Sequence, residues 1–177
     1  MRVYILGVNH QIQSPQIMSY STSGEVQRFE HGQKDEFRTL LCQIIRDRCV
    51  LLVGEEARHD QSSIAAEVCA EARIAYMNIE MLPEQRRARG IMPGYERDAN
   101  LTPEQKAQFH REREQDMYER MLAAVENENV TILVICGSDH AEPLAGRFRA
   151  SGYHVEVGDL TEHNWYIEDW TTHMMRL

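Results

Sequence analysis

The chain has 177 residues, 42% of them hydrophobic and 27% charged, and a net charge of −9. That is enough for one domain with its own core, without disulfide or metal staples. The acidic balance argues against a general nucleic-acid binder, which shows a basic face, and no apolar run nears the ~18 residues of a membrane span.

In chain order, a first strand is predicted over 2–6, where Val3-Tyr4-Ile5-Leu6 runs into Gly7-Val8-Asn9-His10. Its start shows no signal-peptide pattern. The polar stretch 19–24 reads as a loop. Phe37, Leu40, Leu41, Ile44 and Ile45 at helical spacing predict a helix over 35–48. A second strand over 49–53 ends in Gly54-Glu55-Glu56, with His59 and Asp60 shortly after. A helix over 62–72 and a third strand over 74–79 follow. The segment 83–101 is rich in Gly, Pro, Asn and Arg and reads as an irregular loop. Thr102-Pro103-Glu104-Gln105 then supplies an N-cap, a first-turn proline and a capping-box glutamine for a helix over 102–126. A fourth strand over 130–136 runs into Gly137-Ser138-Asp139-His140, and a helix over 142–150 and a strand over 153–157 complete the alternation. This pattern predicts an α/β fold: a single three-layer domain over 1–177, its mostly parallel sheet covered by helices on both faces. The four cysteines (Cys42, Cys49, Cys69, Cys136) fall in or beside apolar segments with no C-x-x-C spacing, so they read as small buried hydrophobes of a cytoplasmic protein. The tail, 159–177, carries Trp165, Tyr166, Trp170, Met174 and Met175. It docks either on its own domain or on a partner subunit, as in a homodimer.

Two Gly-x-x-His corners and one Gly-Glu-Glu corner therefore fall at the carboxyl ends of three strands, the rim where open α/β sheets collect ligands. A carboxylate after such a glycine also serves merely to cap the next helix. Three polar corners on one rim favour chemistry over capping. Two histidines and a glutamate hold a divalent metal with positions left for water. They also work without metal, the glutamate orienting a histidine that takes a proton from water. On the long helix, His110, Arg113 and Met117 at i, i+3 and i+7 put a histidine, a guanidinium and an apolar anchor on one face. Arg113 there either pairs with surface acids or clamps a carboxylate, a phosphate or a developing oxyanion. Arg86, Arg87 and Arg89 make 83–101 either a candidate lid over an anionic substrate or an exposed connection. No phosphate-binding glycine loop and no G-x-S-x-G elbow is present, which argues against nucleotide hydrolysis, dinucleotide redox chemistry and a serine hydrolase.

The order of these motifs resembles the TIKI/TraB superfamily, which includes erythromycin esterase-like and ChaN-like proteins. The matching residues are Gly7 and His10, Glu55 or Glu56, Arg113 with Met117, and Gly137 with His140. The resemblance implies an α/β core whose histidines, glutamate and arginine form one active site. The superfamily contains metal-dependent peptidases, metal-independent ester hydrolases and a haem-binding protein. The expectation is a hydrolase cleaving a peptide, ester or phosphoester bond of a small-molecule or peptide substrate. His10, Glu55, Arg113 and His140 are its candidate catalytic residues, with Glu56 as a stand-in for Glu55. If a divalent metal (manganese, zinc or cobalt) is used, His10, Glu55 and His140 are its candidate ligands. Glu56, His59, His110, Arg86 and Arg87 are candidates for substrate contact. The alternative is a non-catalytic module binding haem or a nucleotide on the same fold.

Overall fold

Strands and helices alternate along the chain in a computed structural model that describes residues 1–13, 31–59, 62–125, 129–160 and 163. The elements are β1 (Arg2–Val8), α1 (His10–Gln13), α2 (His31–Asp47), β2 (Val50–Glu55), α3 (Ile64–Ala72), β3 (Ala75–Asn78), α4 (Pro83–Ala88), α5 (Pro103–Ala124), β4 (Thr131–Gly137), α6 (Ser138–Ala150) and β5 (His154–Val157). A 3-10 turn lies at Tyr95–Arg97. The strands form one parallel sheet in the order β3-β2-β4-β1-β5.

β1 and β4 are buried on both faces, which is why they read as unbroken apolar runs. Successive side chains alternate between the two faces. Leu6, Val8, Leu133 and Ile135 pack with Phe37, Leu41 and Val68 on the side of α2 and α3. Val3, Ile5, Ile132, Val134 and Cys136 pack with Met117, Met121, Leu144 and Phe148 on the side of α5 and α6. Each such buried side chain contributes about 1.5–3 kcal/mol, so both layers are held mainly by the sheet's centre.

β2 carries one irregularity. Against β4, Val50 pairs with Thr131 and Leu52 with Ile132, leaving Leu51 as an extra, 55% exposed residue. An inserted residue inverts the alternation beyond it. Val53 consequently joins the α2/α3 side, Gly54 lies under Met121 of α5, and Glu55 turns back toward Ser63 and Tyr76.

The topology places a crevice. β1 and β4 are neighbours, yet the chain leaves β1 for α2 on one face and leaves β4 for α6 on the other. Such a switch point opens a crevice at the carboxyl ends of the two strands, where α/β sheets bind ligands. Both Gly-x-x-His corners are at this place.

Three expectations change. Segment 83–101 is not wholly irregular: Pro83 opens α4, and Met81, Ile91 and Tyr95 form a small core with Leu101 and Phe109. Helix α6 begins at Ser138 rather than 142, with Pro143 inside it. Cys42 and Cys49 are exposed, so only Cys69 and Cys136 are the buried hydrophobes expected of all four. The predicted loop at 19–24 and most of the tail lie outside the described residues. Of the tail, Leu160 is buried in the α2/α3-side core and His163 meets Glu36 at 2.8 Å. Among the described residues no helix is long and apolar enough to cross a membrane.

Candidate functional site

Glu56, the residue after β2, is the hub of the rim and is 1% exposed. Its amide continues the ladder by donating to the Ile135 carbonyl at 2.8 Å. Its Oε2 accepts from the Gly137 amide at 2.8 Å, and its Oε1 accepts from Arg113 Nη2 at 2.5 Å. The same Oε1 faces His10 Nε2 at 3.5 Å and His140 Nε2 at 3.7 Å. One carboxylate therefore collects β1, β4 and α5 at a single point. Burial pushes its pKa up, but His10, His140, Arg113 and the Gly137 amide outweigh that and hold it down at about 2.

The two histidines differ in access. The His10 side chain is 53% exposed and that of His140 only 5%. His10 and Gln13 stand one turn apart on α1, so His10 Nδ1 meets Gln13 Oε1 at 2.7 Å. The Gln13 amide nitrogen donates to the Glu56 carbonyl at 3.2 Å, which fixes which end of the amide faces the ring. His140 sits in the first turn of α6 with Nδ1 3.1 Å from Glu114 Oε1. Burial lowers the pKa of His140, but the Glu114 bond and the Glu56 charge outweigh it, so the net shift is upward.

Arg113 is buried and both its terminal nitrogens are engaged, while its Nε has no hydrogen-bond partner among the described residues. Besides Glu56 it donates to Glu80 Oε2 at 2.5 Å, to Glu96 Oε1 at 3.4 Å and to the Tyr95 hydroxyl at 3.5 Å. Burial opposes its charge, yet Glu56 and Glu80 more than compensate and raise its pKa. The guanidinium thus ties the ends of β2 and β3 and the 95–97 turn to α5, and Met117 one turn on anchors that face in the core.

Glu55 is elsewhere. It is fully buried on the α2/α3 side, where the Ser63 hydroxyl and the Tyr76 hydroxyl (2.8 Å) donate to its Oε2. Its Oε1 has no hydrogen-bond partner among the described residues, the Gln13 amide standing near enough to favour the charge without closing a bond. Burial is the main cause of its raised pKa. Glu56, not Glu55, is the carboxylate between the histidines, and the set His10, Glu55 and His140 does not converge. Nor is Glu56 a replacement ligand, because among the described residues it forms no trio of ligand atoms with His10 and His140.

The other expected contacts spread around this centre. His110, half-buried on α5, places its ring 5.2 Å from that of His140 and 5.3 Å from that of Tyr95. Burial and the neighbouring His140 lower its pKa. His59 is exposed and its Nε2 meets the Glu80 carbonyl at 3.1 Å, outside the cluster. Arg86 reaches Glu80 at 4.0 Å, and Arg87 is exposed on α4. Gln13, Glu80, Tyr95 and Glu114 join the cluster without having been singled out in the sequence. Glu114 carried a readable signal, four residues after His110 on a well-defined helix, and Glu80 one as well, directly after a strand. Among the described residues, one trio of His, Cys, Asp or Glu side chains brings ligand atoms within 4.8 Å of one another: His110, Glu114 and His140. No family model matches the chain, and no curated protein or solved structure matches it either.

Proposed function

We propose that this chain is a hydrolase in which His10 takes the proton from an attacking water. The observation that carries the reading is the setting of the His10 ring. Gln13 Oε1 can only accept, so Nδ1 carries the proton in the neutral ring and Nε2 keeps the lone pair. That basic nitrogen is on an exposed side chain and faces an ionised, buried Glu56. When Nε2 takes a proton from the water, the negative charge of Glu56 3.5 Å away stabilises the imidazolium electrostatically. Arg113 holds Glu56 in place and is a positioning residue, since four protein acceptors engage its two terminal nitrogens. The first turn of α6 opens on the same rim and adds the positive end of its dipole, favouring negative charge on a substrate. The order of motifs shared with the TIKI/TraB superfamily supports the same reading. The substrate class is a small molecule or peptide with an ester, phosphoester or peptide bond.

The test is a panel of nitrophenyl esters, nitrophenyl phosphodiesters and short peptides, assayed with the parent and with folded His10→Ala and Glu56→Gln forms. Turnover of at least one class is expected, falling roughly 10²–10⁴-fold without His10. Parent-like turnover by His10→Ala, or a parent inert toward all three classes, would overturn the proposal.

A further inference from the structure

We propose that His110, Glu114 and His140 form a binding site for a transition-metal dication of the zinc class, separate from the His10 ring. The helix supplies two ligands by its own periodicity: residues four apart on α5 share a face, so His110 and Glu114 project side by side. The third comes from the first turn of α6, which packs on α5. Glu114 Oε1 and His140 Nδ1 are 3.1 Å apart. Two ligands bound at 2.0–2.2 Å to one tetrahedral ion stand about 3.4 Å apart, so this pair already has ligand spacing. All three ligand atoms lie within 4.8 Å of one another, and His110, being only half-buried, is the one that swings in.

The surroundings fit as well. His140 turns its other nitrogen, Nε2, toward Glu56 Oε1 at 3.7 Å. A carboxylate behind the outer nitrogen of a ligating histidine is the arrangement that fixes ring orientation and strengthens the donor. Arg147 Nη2 stands 3.6 Å from Glu114 Oε2, which leaves Oε1 for the ion. Arg113 does not repel a cation unopposed. Around it Glu56, Glu80, Glu96 and Glu114 face Arg86, Arg113 and Arg147, an excess of negative charge. Two imidazoles and one carboxylate are a donor set for zinc, cobalt or nickel rather than for magnesium or calcium. Three protein ligands also leave one position open to water, on the exposed side of His110.

Cobalt(II) titration of the chelator-stripped full chain tests this. The readout is the visible d–d absorption of a low-coordinate cobalt ion, with displacement by zinc as the check. One equivalent is expected to bind to the parent and to folded His10→Ala. Binding is expected to weaken more than ~100-fold, beyond what losing a hydrogen-bond partner behind a ligand costs, in His110→Ala and in Glu114→Gln. Absence of the cobalt spectrum in the parent would overturn the proposal. So would a spectrum lost in His10→Ala but kept in His110→Ala, which would put the ion beside His10 instead. Turnover is not read here, so failure of this site and failure of the hydrolase reading are separate results.

Discussion

Gly137 has no side chain at the point where the His10 ring rests: a Cβ there would stand 2.8 Å from His10 Nε2. The reciprocal holds at the other corner, where a Cβ on Gly7 would stand 3.0 Å from Ala141 Cβ and from the Ser138 Cα. Each glycine of the two Gly-x-x-His corners thus makes room for the other corner, one for its histidine and one for its helix. Val8 and Gly137 are register partners on adjacent strands, which brings the corners into contact. Gly137→Ala is expected to displace the His10 ring rather than unfold the strand, because an exposed ring gives way more easily than backbone. A shift of ~1 Å at a reacting group costs on the order of 10²-fold. Hydrolysis should fall by that order while the Tm moves little; unchanged turnover would show that the ring position is not set by Gly137.

Helix α5 contributes to the rim through Arg113, and its packing below the rim through Met117 and Met121. Replacing Arg113 with Met keeps the stem's packing but leaves Glu56 and Glu80 buried with less counter-charge. Breaking such a buried pair costs about 3–5 kcal/mol, which urea unfolding would measure, and adding Glu56→Gln should recover part of it. A loss below ~1 kcal/mol would mean that the guanidinium is not the clamp its contacts describe. At this scale most of the fold was legible, because strand and helix periods are local: all five strands, α2, α3, α5 and α6 follow from apolar spacing, and α5 also from its Thr102 capping box. The first turn of α6 was not legible, because Gly137-Ser138-Asp139-His140 read as a strand-end corner ahead of the helix. The choice between Glu55 and Glu56 was not legible at all. Period-two counting from buried Val50 puts Glu56 on the α2/α3 face, and only the extra residue Leu51 reverses the assignment. A bulge depends on the neighbouring strand's register, which a single strand's sequence does not carry. The acids around Arg113 were scattered for the same reason, since Glu80 and Glu96 meet it only through tertiary packing.

For the molecule as a whole, the adjacent carboxylates Glu55 and Glu56 act on acid stability with opposite sign. The folded pKa of Glu56 is depressed, so its contribution is present above the unfolded value of about 4.5 and lost as pH falls toward about 2. The folded pKa of Glu55 is raised, so it costs nothing below about 4.5 and destabilises as pH rises through its shifted value. The stability deficit of Glu56→Gln relative to the parent should therefore shrink as pH drops below about 4.5. Glu55→Gln should instead gain on the parent as pH rises above it, since the amide removes a buried charge. Denaturant midpoints across that range would decide, and parallel pH profiles for the two variants would contradict the two environments described.

Strand order has a further consequence, for timing. Of the described strands β1 is made first, yet its two neighbours in the sheet are β4 and β5, which are made last. At 5–20 residues per second, roughly 6–26 s pass between its synthesis and that of β4. Throughout that interval a largely apolar segment has neither of its neighbouring strands to pair with, and the His10 corner has no Gly137 to rest on. The nascent chain therefore carries a strand from the sheet's centre unpaired until β4 has appeared, the kind of non-local pairing that is slow and exposed to aggregation.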